Sequence, residues 1–456
     1  MAETTLTAQD FQPIQVARET QAISRPSLSY WQDAWIRLKA NRRALISLYI
    51  VAGLLIFTLA GPFLWAVDPA AQDVDQISQP PGADRRATLV EPYAAWDGSS
   101  VSPVANSGLR LAQSGTTQAV RLLWDRTPGS AGYLIYRNIF PIGPENALGL
   151  PLGENLPDQT RFEDLLALQP TTYFYTVVAI DTSDGVIDQQ TLEVVVSRVI
   201  TLSEARTRNL RGARTDLELG DTVQLALHPL GTDYLGRDLL ARLMDGARVA
   251  LFIGICAPFL FVVFGVFYGS VAGFLSGRYD QMLMRFADFV IALPFLLFMI
   301  LFKIGFGIGP GESGIMPMLL AMVLLSWPGT ARLVRGQILQ IREEGYISAA
   351  RVLGAKTNYL VMRHMIPNTV GVILVTLTFA VPSAIFTEAF LSFIGMGVAP
   401  PTPSWGSMCN EGIRTMLTTP HELIFPALFI SVTVLAFNLL GDGLRDALDA
   451  RMRATE

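Results

Sequence analysis

Six long apolar runs dominate the hydropathy pattern, and they lie at about 44–67, 249–275, 286–305, 315–334, 370–395 and 421–441. A membrane helix needs roughly 20 mostly apolar residues. The run at 315–334 is interrupted by Pro317, Pro328 and Gly329, which a membrane helix tolerates when neighbouring helices satisfy the freed backbone groups. The pattern predicts an α-helical polytopic membrane protein with six transmembrane helices.

A different pattern occupies the long stretch between the first two runs. Apolar and polar residues alternate in short segments, at Ala119–Trp124, Gly132–Arg137, Tyr173–Asp181 and Gln190–Ile200. Such alternation, with turn residues every 8–12 positions, is typical of a β-sandwich, which we place at about 109–200. A β insert of another kind is the alternative. Residues 70–118 are rich in Pro, Gly and Ser and are interpreted as linker or irregular wrapping.

Composition and basic residues support a membrane topology. Only 16% of residues are charged, against about 25% in soluble domains. Arg37, Lys39, Arg42 and Arg43 precede the first run, so the N-terminus is predicted to be cytoplasmic. Six crossings return the C-terminus to the same side. Arg237, Arg242 and Arg248 fall outside under this topology, but Asp233, Asp238 and Asp245 are interleaved with them.

The predicted outer segment is acidic. Residues 68–245 contain 23 acidic and 14 basic side chains, which leaves 16 acidic and 20 basic side chains for the rest of the chain. The predicted organisation is a cytoplasmic segment 1–43, a first helix 44–67, an extracytoplasmic insert 68–245, a five-helix core 246–444 and a cytoplasmic tail 445–456. No cleavable signal is expected at the N-terminus, because residues 1–26 have no apolar core.

The most informative segment lies between two of the apolar runs, in the predicted cytoplasmic loop 335–368. Ala349 and Ala350 favour a short helix over Tyr346–Gly354, and Gly354 suits its C-terminal stop. Small side chains would let this helix enter a groove on a partner, and Arg351 and Lys356 could meet carboxylates at the rim. Pro367 then ends the loop. The alternative is an ordinary cytoplasmic loop with a solvated basic face.

This loop resembles the EAA loop of the membrane subunits of ABC importers. The matching residues are Ser348-Ala349-Ala350, Gly354, His364 and Pro367, with Ser348 in place of the family's Glu. A serine cannot make the salt bridge that a glutamate could make. Four further stretches resemble permeases of the peptide importers, in particular the C-type permease of the dipeptide, oligopeptide and nickel importers. They are His228–Arg248, Arg285–Asp288 with Pro294, Glu388–Gly406 and Asn438–Arg453. The N-terminal Trp31, Trp35 and Asn41–Arg43 resemble the first segment of the same group.

The resemblance implies a type I ABC importer fold and a coupling loop that contacts the ATPases. Its expected site residues are Tyr346, Ser348, Ala349, Ala350, Arg351, Gly354, Ala355, Arg363, His364 and Pro367. The implied partners are a homologous permease subunit, two cytoplasmic ATPase subunits, an extracytoplasmic solute-binding protein and the lipid bilayer, with no nucleic acid. ATP and magnesium would bind the ATPases, and no cofactor is expected to bind this chain. The expected solute is a di- or oligopeptide, with a nickel chelate, a glycoside or an opine as alternatives.

The insert resembles a fibronectin type III module. Trp124 corresponds to its buried tryptophan, and either Tyr173 or Tyr175 makes the tyrosine-corner bond. Two other classes of function are alternatives. The chain could be a membrane-anchored receptor or scaffold that displays this sandwich, or it could be an intramembrane enzyme. The five-span bundle and the coupling loop argue against an anchor, which needs one span, and the absence of convergent polar groups within the spans argues against an enzyme.

Two ionisable residues within or near the apolar runs are functional candidates, namely Asp288 and Glu388. The alternative for both is a structural hydrogen bond inside the bundle. Gly309–Gly314 matches G-x-G-x-x-G but does not follow a strand, so it is interpreted as a turn. The three histidines are far apart and predict no metal site, and no catalytic residue is expected.

Overall fold

The fold was analysed in a computed structural model, which describes residues 30–99, 108–141, 148–210, 217–306 and 313–448. The chain forms a helical bundle and a β-rich insert between its second and fourth helices. The start of the predicted N-terminal segment, the end of the predicted tail and most of the glycine-rich turn at 309–314 lie outside the described residues.

Twelve α-helices are assigned within the described residues. In chain order they are α1 (Tyr30–Ala40), α2 (Arg42–Leu64), α3 (Leu202–Thr207), α4 (Leu239–Leu275), α5 (Gly277–Ala292), α6 (Phe295–Gly305), α7 (Ile315–Arg342), α8 (Gly345–Val352), α9 (Thr357–Leu360), α10 (Ile366–Phe393), α11 (Trp405–Gly412) and α12 (His421–Leu448). A π-helical segment, Val361–Met365, joins α9 to α10.

Five of the described helical runs are long and apolar enough to cross a membrane: α2, α4, α7, the continuous run Thr357–Phe393 and α12. The sixth predicted span, 286–305, is wrong as a single helix. It is the bent pair α5 and α6, whose axes differ by 82°. Pro294 causes the break, because a proline lacks the N–H of the helical ladder and disfavours helical backbone in the residue before it. The described residues thus provide five single-run candidate spans, and a sixth if the bent pair is counted as one.

The second span begins earlier than the predicted 249–275, and its first turns lie within the predicted insert 68–245. Helix α4 starts at Leu239, where the side chain of Asp238 accepts a hydrogen bond from the backbone N–H of Ala241 at 2.7 Å. Such an N-cap typically contributes about 1 kcal/mol. Arg242, Asp245 and Arg248 made this first part too polar to recognise as part of a span.

The bundle has two distinct ends. Helix α4 has 37 residues, so it extends about 55 Å from the insert to the loop after α7. We call these the insert end and the loop end. At the loop end, Arg342 donates to the carbonyl of Phe274 near the end of α4. Ala34 and Leu38 of α1 pack with Ala447 of α12 there, so both ends of the described chain lie at the loop end.

The described residues of the insert form ten short strands in three sheets. They are β1 (Arg86–Val90), β2 (Arg110–Leu111), β3 (Val120–Leu123), β4 (Gly132–Asn138), β5 (Gly153–Asn155), β6 (Arg161–Asp164), β7 (Thr172–Ile180), β8 (Val186–Val195), β9 (Val199–Thr201) and β10 (Thr222–Gln224). The strand orders are β2-β3-β6, β5-β4-β7-β8 and β10-β1-β9. Strand β1 pairs in parallel with β9 and antiparallel with β10.

The first two sheets share one hydrophobic core. Leu122 and Trp124 come from the three-stranded side, and Tyr133, Ile135 and Tyr175 from the four-stranded side. The third sheet has a separate core with α3, which contains Leu89, Ile200 and Val223 among others. The interpretation of 70–118 as linker is therefore incomplete. Residues 86–90 form the central strand of a small sheet between the larger sheets and the bundle.

Both candidate tyrosines of the insert make hydrogen bonds, but only one makes a local backbone bond. The hydroxyl of Tyr173 accepts from the backbone N–H of Gln169, four residues upstream, at 3.0 Å. The hydroxyl of Tyr175 instead donates to Asp164 at 2.6 Å, and Asp164 also pairs with Arg137. Of the two tyrosines, Tyr173 is therefore the one whose hydroxyl bonds to the backbone a few residues upstream.

Candidate functional site: the coupling loop and polar residues of the bundle

The loop between α7 and α10 is shorter than the predicted range 335–368. Helix α7 continues to Arg342, and α10 already begins at Ile366. The residues between them form α8, a turn, α9 and the π-helical segment. The loop is therefore almost entirely helical, and each of its ends continues directly into a long helix of the bundle.

Gly354 ends α8 as predicted. Its φ of +85° is left-handed, a conformation that glycine adopts without the strain a side chain brings. Its N–H bonds to the carbonyl of Arg351 at 3.0 Å, and the N–H of Ala355 bonds to that of Ala350 at 3.1 Å. These two bonds make a Schellman motif, which satisfies carbonyls at a helix C-terminus.

Helix α8 is anchored by one side chain and presents others outward. Ile347 is fully buried with Val334, Ile338 and Met365. Val352 and Leu353, at the opposite end of the helix, are each 87% exposed. Two neighbouring aliphatic side chains with this exposure, on a helix fixed in place by Ile347, form an apolar contact surface. Sequence reasoning missed both residues, although they directly precede the glycine stop.

Side chains of the loop also contact one another. The hydroxyl of Tyr346 accepts from Asn368 at 3.0 Å, which ties α8 to the start of α10. The ring of His364 lies 6.3 Å from that of Tyr346 and 5.4 Å from that of Tyr359. The guanidinium of Arg351 lies over the ring of Phe274, at 5.9 Å from its centroid.

The remaining predicted loop residues are on or near the surface. Ser348, Ala349, Arg363 and Pro367 are exposed, whereas Ala350 and Ala355 are half-buried. Pro367 lies in the first turn of α10, where the absence of its N–H costs no hydrogen bond. The structure thus brings the ten predicted loop residues into one compact element, and the polar atom of Ser348 lies on its accessible side.

Asp288 makes an ion pair within the bundle. Its carboxylate lies 2.5 Å from the guanidinium of Arg332, so α5 is joined to α7. Sequence reasoning missed a second ion pair between the same two helices. Arg335, one turn after Arg332 on α7, donates two hydrogen bonds at 2.5 and 2.6 Å to the buried Asp280, which lies two turns before Asp288 on α5. The eight-residue spacing of the two aspartates was a usable signal, because it places them on one face of a helix.

Glu388 is fully buried in α10 near the insert end. It accepts a hydrogen bond from Ser392 at 2.8 Å, one turn further along the same helix. Asp288 and Glu388 are not brought together, since the first contacts α7 and the second its own helix. Within the described residues, no group of three His, Cys, Asp or Glu side chains is arranged to hold a metal ion.

Arginines that seemed misplaced in the predicted topology have buried partners at the insert end. Arg237 pairs with Asp233 at 2.7 Å and with Glu411 of α11 at 2.8 Å. Arg242 pairs with the same two carboxylates. Because these charges are compensated, they conflict less with the positive-inside rule than isolated arginines would. Glu411 could not be identified in advance, because nothing near it in the sequence indicates its partners.

A histidine bridges the same region to the insert. His228 Nδ1 lies 2.7 Å from Asp238, and its Nε2 lies 4.0 Å from Asp73. Burial opposes protonation of His228, but its bonds to Asp238 and Asp73 outweigh burial and raise its pKa to about 9. Asp238 also accepts a hydrogen bond from Trp65, the residue that follows α2. The imidazolium therefore helps to hold α2, α4 and the insert together.

Comparison with known families agrees with this arrangement. A model described as the binding-protein-dependent transport system inner membrane component matches residues 265–454. A second model, the N-terminal TM domain of oligopeptide transport permease C, matches residues 29–81. The coupling loop, Asp288 and Glu388 lie inside the first match, whereas all three sheets of the insert, from β1 to β10, lie outside both matches.

Individual relatives match about half of this chain. The oligopeptide transport system permease protein OppC of Bacillus subtilis is 46% identical over 50% of this chain and 72% of its own length. The dipeptide permease DppC of the same organism is 46% identical over 50% of this chain and 69% of its own. A glutathione permease, GsiD of Escherichia coli, is 42% identical over 50% and 73%.

A solved structure of the MetNI methionine ABC transporter in an inward-facing conformation also matches, with 17% identity and a TM-score of 0.36, over 46% of this chain and 96% of its own. The family itself is established by the sequence matches. The chain belongs to the binding-protein-dependent permeases of ABC importers, in the group of the oligopeptide and dipeptide permeases, and is a membrane subunit rather than an enzyme.

Proposed function

We propose that this chain is the channel-forming subunit of an ATP-driven importer for di- or oligopeptides, working by alternating access. Relatives named as oligopeptide, dipeptide and glutathione permeases support a peptide as the solute. The observation that carries the mechanism is the geometry of α8, whose Val352 and Leu353 are exposed while Ile347 anchors the helix.

In this proposal α8 is the element that docks on a cytoplasmic ATPase subunit. The exposed aliphatic pair enters an apolar groove on the ATPase, and Arg351 and Arg363 meet carboxylates at its rim. ATP and magnesium bind the ATPases, and this chain binds neither. A homologous permease subunit and an extracytoplasmic solute-binding protein complete the importer.

The loop transmits movement because it has little slack. Helix α7 leads directly into it, and α9, the π-helical segment and α10 form one continuous helical run from Thr357 to Phe393. Ile347 and Met365 share a buried cluster with Val334 and Ile338 of α7. A displacement of α8 by the ATPase is therefore passed to α7 and α10 together.

The proposed location is the bacterial inner membrane, with the loop end cytoplasmic and residues 68–238 extracytoplasmic. Support comes from the basic residues beside α1 and in the loop, and from the acidic insert at the opposite end. Protease added to spheroplasts is expected to cleave within the insert and to leave the loop intact. Cleavage in the loop alone would reverse the topology.

We further propose that the insert is a fibronectin type III-like sandwich that modulates docking of the solute-binding protein. Support comes from the three- and four-stranded sheets around one core, the buried Trp124 and the bond from the Gln169 N–H to the Tyr173 hydroxyl. The insert lies at the end of the bundle where an extracytoplasmic partner would arrive, and its acidic surface would favour a basic partner.

Reconstitution of the complete complex tests the proposed function. The chain, its partner permease and both ATPases are placed in proteoliposomes with the solute-binding protein and a labelled tripeptide. We expect the binding protein and peptide together to stimulate ATP hydrolysis and to drive peptide into the lumen. Stimulation without peptide accumulation would contradict an importer for peptides, and a complex that assembles without any stimulation would contradict coupling through this chain.

A further inference from the structure

The bundle contains a cavity whose wall carries several hydroxyl groups. Its volume is about 640 Å³, and it opens where α7 and α10 lie over α4, with α6 at one side. Phe261 of α4 forms part of its floor, and Phe386 and Phe390 of α10 lie at its opening, where they are exposed.

Five hydroxyl groups line this cavity, and none of its lining residues is charged. They are Ser326 and Thr330 of α7 and Thr376, Ser383 and Thr387 of α10. The spacings of four and seven residues place each set on one face of its helix. Thr376 and Thr387 donate to the carbonyls of Val372 and Ser383 at 2.8 Å, so their oxygens can still accept hydrogen bonds.

A second cavity in the same bundle provides the contrast. It has a volume of about 850 Å³ and is lined only by Leu, Val, Phe and Trp side chains of α4, α5, α6 and α7. That wall suits acyl chains or another apolar helix. Hydroxyl groups add nothing to a contact with lipid, so the first cavity fits a hydrated, polar occupant better.

The walls of the hydroxyl-lined cavity are also the helices that the coupling loop moves. Helix α7 ends at the loop and α10 starts from it, so both sides of the cavity are attached to α8. A change in the position of α8 would therefore reach both of these walls. The cavity is thus placed to change its width during alternating access.

We propose that the hydroxyl-lined cavity is this subunit's half of the solute path, and that its uncharged hydroxyl and aromatic wall lets peptides of either charge pass, with Ser383 as a central contact. This inference rests on the proposed function as a peptide importer. Hydroxyls can donate to or accept from peptide groups, and phenylalanine rings contact apolar side chains. A wall of this kind discriminates little by charge, so selectivity is left to the solute-binding protein.

Thiol labelling in the assembled complex tests the placement. Cys256 and Cys409 are the two free cysteines, and both are first replaced by Ala. Ser383→Cys is then compared with Ser431→Cys on α12. Both serines are exposed and lie ten residues from the insert end of their helices, Ser383 from Phe393 and Ser431 from His421. We expect a membrane-impermeant thiol reagent to modify Ser383→Cys and block uptake, and to leave Ser431→Cys unmodified.

Charge substitutions test the chemistry of the wall. We expect Ser383→Asp to lower uptake of an acidic tripeptide relative to a basic one by about tenfold, and Ser383→Lys to do the reverse, since one unit charge acts over several ångströms at an effective dielectric constant of about 20. Equal effects on both peptides would overturn the proposal.

The outcomes separate this inference from the proposed function. An unlabelled Ser383→Cys in a complex that keeps binding-protein-stimulated ATP hydrolysis and peptide uptake would overturn the path through this cavity alone. A parent complex that hydrolyses ATP but accumulates no tripeptide would overturn the proposed function instead. Should the charged variants fail to assemble, the labelling of Ser383→Cys still decides the placement.

Discussion

At the scale of single residues, buried charges in this permease have partners from distant parts of the chain. Glu411 in α11 pairs with Arg237 and Arg242 at the start of α4, and Asp73 of the insert faces His228. A buried charge without its partner is strongly destabilising, by about 3–5 kcal/mol. These residues therefore connect the insert to the bundle as well as supporting each helix locally.

His228 is predicted to make stability depend on pH. Its raised pKa of about 9 means that the protonated form is favoured in the folded protein. The stabilisation is fully present below the ordinary pKa of about 6.5 and is lost as the pH rises through about 9. Melting temperatures of the purified protein and of His228→Gln should therefore differ most near pH 6.5 and converge by about pH 10. A difference that stays constant over this range would contradict the role of the imidazolium.

Trp124 is predicted to be central to the stability of the insert. It is 4% exposed and packs edge-on against Tyr133, with ring centroids 5.4 Å apart. Trp124→Ala should lower the free energy of unfolding of the separately expressed sandwich by about 3–5 kcal/mol. Phe140→Ala is the aromatic control, because Phe140 is 69% exposed and should change stability by about 0.5 kcal/mol or less. Circular dichroism melts provide the measurement, and a helical or unstructured spectrum would contradict the sandwich.

At the scale of secondary-structure elements, α8 combines a local stop with a distant anchor. The Schellman motif at Gly354 fixes where the helix ends, and Ile347 fixes where it sits on α7. The first could be predicted from the glycine and the two alanines, because it depends on neighbours in sequence. The second could not, because it depends on the position of Ile338 and Met365 in the folded bundle.

The same distinction explains the other elements. The single-run spans and the alternating strands were predictable, since each follows from a local hydrophobic pattern. The bend between α5 and α6 had a local signal in Pro294, whereas the polar start of α4 had none, because Arg242 is stabilised there by Asp233 and by Glu411 of α11. Of the candidate site, the loop residues were identifiable by resemblance, whereas the exposed Val352 and Leu353 required the structure.

Leu353 is predicted to be needed for coupling. Leu353→Asp should leave membrane insertion intact but lower peptide uptake and stimulated ATP hydrolysis at least about tenfold, because a carboxylate in an apolar groove loses hydration without a partner. Leu417→Asp is the matched control, since Leu417 is 91% exposed at the insert end, against 87% for Leu353 at the loop end. Unchanged ATP hydrolysis in Leu353→Asp, in a complex that assembles normally, would contradict docking through α8.

At the scale of the whole molecule, the chain enters and leaves the two larger sheets through a separate small sheet. Strand β1 leads toward the sandwich, β9 returns from it, and both pair within the sheet β10-β1-β9. Arg198, just before β9, is buried and donates to Gln79. A clean removal of the sandwich must therefore keep these strands and Arg198.

Deletion of residues 100–197, bridged by a Gly/Ser linker, is predicted to preserve assembly with the ATPases and to change the affinity of the solute-binding protein. The acidic surface would be lost, and exposed charges are screened beyond about 8 Å at physiological ionic strength. The difference from the parent protein should therefore shrink as salt is raised, which uptake measured against binding-protein concentration at two salt levels would test. Identical uptake curves for both proteins would make the insert a passive spacer.

The bend at Pro294 also has a consequence for how the chain enters the membrane during synthesis. Helix α5 has 16 residues and α6 has 11, so they extend about 24 and 17 Å, and neither alone reaches across a hydrocarbon core of about 30 Å. Asp280 and Asp288 acquire their arginine partners only when α7 has been made. We therefore expect α5 and α6 to settle in the membrane only after α7 has been synthesised, so that these helices insert together rather than one at a time.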